Sequence, residues 1–200
     1  FKAYVLGTIF YRYISENLTS YINKMQKDAG EDDFDYTTFP DEYAEEAKEQ
    51  LVAEKGFFIL PSQLFCNVAA KAETDENLNE TLAKTFRAIE ASAVGTDAEY
   101  KMRGLFSDFI VDNSKLGITV ADRNKVFADV IIAVRGMELS QDFQNNKNDT
   151  FGDTYEFLMS MYAANAGKSG GEFFTPQEVS EILVRLATYD NDKIDSVYDP

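Results

Sequence analysis

Apolar residues recur at helical spacing along most of the chain, and the pattern predicts a succession of helices. Over residues 2–27, Val5, Leu6, Ile9, Phe10, Tyr13, Ile14, Leu18, Tyr21, Ile22 and Met25 form a broad apolar stripe. A stripe this wide does not suit a free surface helix, so the segment is expected at the centre of a helical core. Residues 28–40, with Gly30, clustered Asp and Pro40, read as a loop or partly disordered link. Asp41 is placed to cap an acidic helix over 42–54, which Gly56 ends. Phe57-Phe58-Ile59-Leu60 reads as a brief buried extended segment stopped by Pro61, and Ser62 is placed to cap a helix through about Lys71.

Beyond an acidic loop, Asn77 or Asn79 starts a helix to about Ala93 with Leu82, Phe86 and Ile89 inward, closed by Gly95. Residues 99–114 predict a short helix or turn and then a polar loop. Thr119 caps a helix to about Gly136, with Phe127, Val130, Ile131, Val134 and Met137 at core spacing. Residues 140–150 are polar and Asn-rich, the best linker, and 151–166 predict another helix that Gly167 ends. The pattern changes only at Ile194–Tyr198, which reads as a strand running into Asp199-Pro200. A helix followed by a strand opens an alternating α/β unit. The expected fold is therefore mainly α: a multi-helix domain over 1–145, then over 146–200 a connection helix and the truncated start of a Rossmann-like α/β domain.

The stretch with most chemistry lies just before that strand. Gly167-Lys168-Ser169-Gly170-Gly171 runs into Glu172-Phe173-Phe174 and then into a marked helix start. Thr175 suits the N-cap, Pro176 the first helical position, and Glu178 closes a capping box. Val179, Ile182, Leu183 and Leu186 follow on one face of a helix over 176–188. A helix N-terminus with unpaired amides would thus stand beside a permissive backbone and two flat rings. Such a corner suits a ligand with a carboxylate at one end and a ring at the other; an ordinary capped loop on a core has the same pattern.

Composition limits the alternatives. With 44% hydrophobic and 14% aromatic residues, 200 residues can bury a real core. No apolar run is long enough to cross a membrane, and the start lacks the order of a signal peptide. Phe1, in place of a Met, reads as an internal residue of a longer chain. The chain has no histidine and a single cysteine, Cys66. Histidine-based catalysis, a cysteine metal cluster and an internal disulfide are therefore excluded within it. Cys66 is expected to be a small buried hydrophobe, and a reducing cytoplasm is the expected compartment. The net charge of −16, concentrated in residues 28–55, makes the chain alone a poor duplex binder. No phosphate-cradling Gly-x-x-x-x-Gly-Lys-Ser/Thr stretch appears.

Four segments carry a resemblance. Tyr4-Val5-Leu6-Gly7-Thr8-Ile9-Phe10-Tyr11-Arg12-Tyr13-Ile14-Ser15, Phe58-Ile59-Leu60-Pro61-Ser62-Gln63-Leu64-Phe65, Gly152–Leu158 with Gly170-Gly171-Glu172-Phe173-Phe174-Thr175-Pro176, and Val197-Tyr198-Asp199-Pro200 follow one another in a family's order. The chain resembles the N-terminal part of the modification subunit, HsdM, of type I restriction–modification systems. That family consists of S-adenosylmethionine-dependent adenine-N6 DNA methyltransferases. The Gly-Glu-Phe-Phe-Thr-Pro segment is its most specific piece.

The resemblance implies that Glu172, Phe173, Phe174, Thr175, Pro176 and Gln177 line the methionine and adenine side of an S-adenosyl-L-methionine pocket. It implies a specificity (S) subunit, a second copy of this subunit, a restriction (R) subunit, and DNA in the assembly. Arg12 and Tyr155 are expected to pack rather than to act. The glycine-rich cofactor loop, the ribose-holding acid and the Asn-Pro-Pro-aromatic motif of the family do not occur here. Half the pocket and all of the chemistry are therefore expected elsewhere in a parent chain, with no catalytic residue or metal in this one. A stand-alone helical interaction module is the other reading.

Overall fold

The structure is a computed structural model that describes residues 1–137, 175, 177–189, 196 and 198. The chain divides into two units, Phe1–Asn148 and Asp149–Pro200. All regular structure among the described residues is helical. In the first unit the α-helices are α1 (Lys2–Asp28), α2 (Asp41–Glu46), α3 (Lys48–Lys55), α4 (Phe65–Lys71), α5 (Leu78–Ser92), α6 (Glu99–Met102) and α7 (Val120–Arg135), with short 3-10 turns at Tyr36–Thr38, Pro61–Gln63 and Ser114–Leu116.

α1 is the central helix, as its wide apolar stripe predicts. Tyr11 and Leu18 are 0% exposed, and Tyr4, Ile9, Ile14 and Ile22 are buried with them. The core around α1 is a chain of edge-on and stacked rings. Tyr11 meets Phe65 at 5.6 Å and Phe86 at 5.3 Å; Phe86 stacks on Phe106 at 4.0 Å and meets Phe109 at 5.0 Å. Phe109 continues to Phe127 at 5.5 Å and to Tyr4 at 5.1 Å. Edge-to-face and offset pairs of this kind add to the burial of their area. Gly7 lets the Phe109 ring reach the backbone of α1, since a Cβ there would stand 2.9 Å from Phe109 Cδ2.

Polar groups inside this core close the ends of neighbouring helices, where backbone groups lack helical partners. Ser15 Oγ of α1 accepts from the Phe65 N–H at the start of α4, at 2.8 Å. Asn124 of α7 accepts from the Asn79 N–H at 2.9 Å and donates to the Glu76 carbonyl at 2.6 Å, holding the start of α5. Arg12 of α1 donates from Nη1 to the carbonyls of Val134 at 2.5 Å and Met137 at 3.0 Å, closing the end of α7, while its Nε donates to Glu16 at 2.7 Å. Arg12 is accordingly a buried packing and capping residue, as expected. α7 keeps the predicted Thr119 cap, with a full capping box to Asp122.

Several expectations are corrected or narrowed. The acidic segment 42–54 is two helices broken at Ala47, and Asp41 does not cap them: its carboxylate accepts from the Ser62 N–H at 2.9 Å and the Ser62 hydroxyl at 2.5 Å. Ser62, so engaged, does not cap α4, which begins later, at Phe65. Residues 28–40 are the expected loop after the end of α1, with one 3-10 turn, and of the two alternatives it is the ordered one: Tyr36 is buried, its hydroxyl donates to the Ile59 carbonyl at 2.9 Å, and its N–H donates to Asn23 at 2.8 Å. Cys66 is exposed, because Phe65, Val68 and Ala69 take the inner face of α4 and turn position 66 outward. In α1, likewise, Phe10 and Tyr13 lie at the rim of the stripe while Tyr4 and Tyr11 fill its centre.

Candidate functional site

In the second unit one helix is described, α8 (Gln177–Ala187). It falls within the predicted 176–188. Thr175, the expected N-cap, lies two residues ahead of it and is exposed. A helix of eleven residues presents its first-turn amides without helical acceptors, along with the positive end of its dipole. Gln177 is thereby the first residue of the helix and Thr175 lies close before it, while the expected cap and capping box rest on residues outside those described. Glu172, Phe173, Phe174 and Pro176 lie outside the described residues, as do the expected linker 140–150, the helix 151–166 with Tyr155, and most of the strand 194–198.

α8 carries its apolar residues outward. Val179, Ile182, Leu183 and Leu186 are between 44% and 69% exposed. An apolar face at i, i+3, i+4 and i+7 is the mark of a helix that packs on something. On the opposite side, Arg185 pairs with Glu181 one turn back, at 2.5 Å.

The first unit offers no second constellation of this kind among the described residues. Its buried polar groups, Thr8, Arg12, Ser15, Thr85 and Asn124, lie in the helical core, and Arg12, Ser15 and Asn124 are engaged at helix ends. No group of three His, Cys, Asp or Glu side chains is placed to hold a metal ion among the described residues. No described helix is long and apolar enough to cross a membrane. Tyr11 and Tyr36 have their hydroxyl pKa values pushed up, chiefly by burial, which keeps both as neutral donors.

Comparison with known proteins joins the two units to one lineage. Residues 1–134 match the family described as HsdM N-terminal domain, and residues 146–200 match the family described as N-6 DNA Methylase. The chain is 46% identical to the type I restriction enzyme MpnII methylase subunit of Mycoplasma pneumoniae over 206 aligned residues, covering all of this chain and 38% of that protein. The crystal structure of the type I restriction-modification system methyltransferase subunit from Streptococcus thermophilus superposes with a TM-score of 0.72 at 25% identity, over 95% of this chain and 39% of that one. The chain thus spans well under half the length of these relatives. On a match extending from residue 1 to residue 134, the chain belongs to the HsdM family of type I restriction–modification methylase subunits.

Proposed function

We propose that this chain is the N-terminal portion of an adenine-N6 DNA methyltransferase whose parent transfers a methyl group from S-adenosyl-L-methionine to the exocyclic amine of adenine. The observation that carries this reading is the order of two family matches along one chain, the HsdM N-terminal domain first and the N-6 DNA Methylase family after it. On this reading residues 1–145 are the helical domain, and 146–200 are the connection, the cofactor-lid segment and the first strand of a cytoplasmic enzyme's catalytic domain. The apolar face of α8 is then the side that packs on the parent's sheet.

Two features of the described residues support this reading. Thr175 is exposed and able to donate a hydrogen bond, and the amides at the start of α8 suit a carboxylate. Glu172 would accept from the cofactor's ammonium group. Phe173 and Phe174 would give apolar contact to its adenine and methionine chain, and Pro176 and Gln177 would set the direction of the helix entrance. When bound, S-adenosylmethionine supplies the electrophilic methyl group. These residues bind and orient it, and the groups that act on the adenine belong to the parent. The net charge of −16 supports protein contact rather than duplex contact for this portion, with the specificity subunit supplying sequence reading and a second modification subunit and the restriction subunit completing the assembly.

Calorimetric titration of S-adenosylmethionine into this chain and into the parent tests the reading. Binding by the parent alone, lost on Phe174→Ala with Thr175→Ala, is the expected result. No binding by either would leave a helical interaction module.

A further inference from the structure

The segment between α1 and α3 is strongly acidic, yet it is fixed to the core. Tyr36 anchors it through Ile59 and Asn23, and Asn67 Nδ2 donates to the Thr37 carbonyl at 2.7 Å. Around that anchor the rings of Phe34, Phe39 and Tyr43 form a ledge, with Phe34 and Phe39 centroids 5.1 Å apart and Phe39 and Tyr43 6.0 Å apart. Tyr43 is 52% exposed, and Phe34 and Phe39 are half-buried. Asp32, Asp33, Glu42 and Glu46 are exposed in the same stretch, and none of them makes an ion pair among the described residues. Residues 28–46 carry nine acids and no cation, and the flanking cations are Lys24 and Lys27, exposed near the end of α1, and Lys48 and Lys55 of α3. Lys48 pairs with Glu45 and lies over the Phe58 ring, and Lys55 lies over the Tyr21 ring.

A ledge of ring faces within a segment of strong net negative charge has a definite complement. We propose that Phe34, Phe39 and Tyr43, with the acids around them, form a docking surface for a basic, arginine-bearing segment of another protein. A guanidinium stacks flat on an aromatic face while its donors reach carboxylates at the rim, which a lysine ammonium does less well. The charge selects a cation over a purely apolar peptide, and it repels the phosphates of a nucleic acid. The inference stands apart from the cofactor reading, since its test needs neither cofactor nor parent.

The test is fluorescence anisotropy of a labelled Arg-Gly repeat peptide with this chain, alongside a Lys-Gly peptide of equal charge and a labelled DNA duplex. The Arg-Gly peptide should bind best, with affinity falling as salt rises. Tyr43→Ala should weaken it about two- to fivefold, the worth of one exposed cation–π contact, and Tyr43→Phe should restore it. Should the Ala variant melt early, Tyr43→Leu, which keeps the apolar bulk without the ring quadrupole, serves in its place. Glu42→Gln with Glu46→Gln should weaken binding more than Glu73→Gln with Asp129→Asn, which removes the same charge at two other exposed positions. Equal loss from both pairs, indifference to the ring at position 43, no binding, or preferred binding of the duplex overturns the proposal.

Discussion

Arg12 allows the capping account to be tested quantitatively. Its guanidinium spans two jobs, closing the last turn of α7 through the Val134 and Met137 carbonyls and pairing with Glu16 on its own helix. The Arg12 side chain is only 8% exposed and that of Glu16 21%, so both groups have left most of their water behind. Arg12→Met keeps the aliphatic bulk and removes the donors. A hydrogen bond from a charged group contributes about 1.5–3 kcal/mol, and breaking a buried pair typically costs about 3–5 kcal/mol. The two carbonyls share one nitrogen, and a helix end can turn partly to water, so these figures do not add. A loss of about 3 kcal/mol is expected, lowering the melting temperature by about 6–12 °C for a chain of this size. Arg12→Lys restores the charge, but a single ammonium cannot serve Glu16 and the helix end together, so about half the loss should remain. Urea unfolding followed by far-UV circular dichroism measures both variants. A Met variant within about 1 kcal/mol of the parent sequence, or Met and Lys variants of equal stability, would refute the clamp.

Further outcomes follow from other contacts. Gly7→Ala drives a methyl into Phe109 and should destabilise by about 1–3 kcal/mol in the same assay, with Phe109→Leu recovering part of the loss. Thr119→Ala removes the capping box of α7 and should cost about 1 kcal/mol, read from the urea midpoint. Partial burial pushes the Asp35 carboxyl up, but hydrogen bonds from the Thr37 N–H, the Thr37 hydroxyl and Asn23 outweigh it and hold the pKa below its ordinary value. The stability so gained is present above the unfolded carboxylate pKa and lost as pH falls through the folded one, so Asp35→Asn should flatten the acid limb of a stability–pH profile.

Much of the helical frame is legible in the sequence, because apolar spacing and local caps are short-range signals. Thr119 with Asp122 lies in one turn, and α7 begins where that pair requires. Gly56, at φ +81°, ends α3 as a glycine in the left-handed region should. What local spacing cannot disclose is a cap supplied from another helix. Ser62 looks like the N-cap of α4, yet the hydroxyl facing the Phe65 N–H belongs to Ser15, fifty positions earlier. Asp41 resembles a cap by the same local logic and is taken instead by Ser62. The buried Tyr36 is hidden for the opposite reason: surrounding acids and Pro40 advertise a loop, while its hydroxyl bond to Ile59 and its N–H bond to Asn23 fix the segment. For the candidate cofactor segment, pattern and structure meet in the helix itself, whose Gln177–Ala187 lies within the span 176–188 that its apolar spacing predicts.

The distribution of polar groups also bears on how the two units divide their work. In the helical unit Ser15, Asn124 and Arg12 are committed to helix ends, and such groups are poor candidates for catalysis because moving them unseats a helix. Its outward chemistry is charge and ring faces, which suit recognition of a protein more than transformation of a small molecule. In α8 the balance reverses. Its apolar face is exposed, so that helix still has a face to bury. Replacing Leu183 with Asp, at the middle of that face, should therefore leave the urea unfolding of this chain's helical unit unchanged. In the parent it should destabilise the catalytic unit and abolish S-adenosylmethionine binding seen by calorimetry, because a buried unpaired carboxylate costs several kcal/mol. Unaltered binding in the parent would mean that the exposed face of α8 is not where the sheet packs.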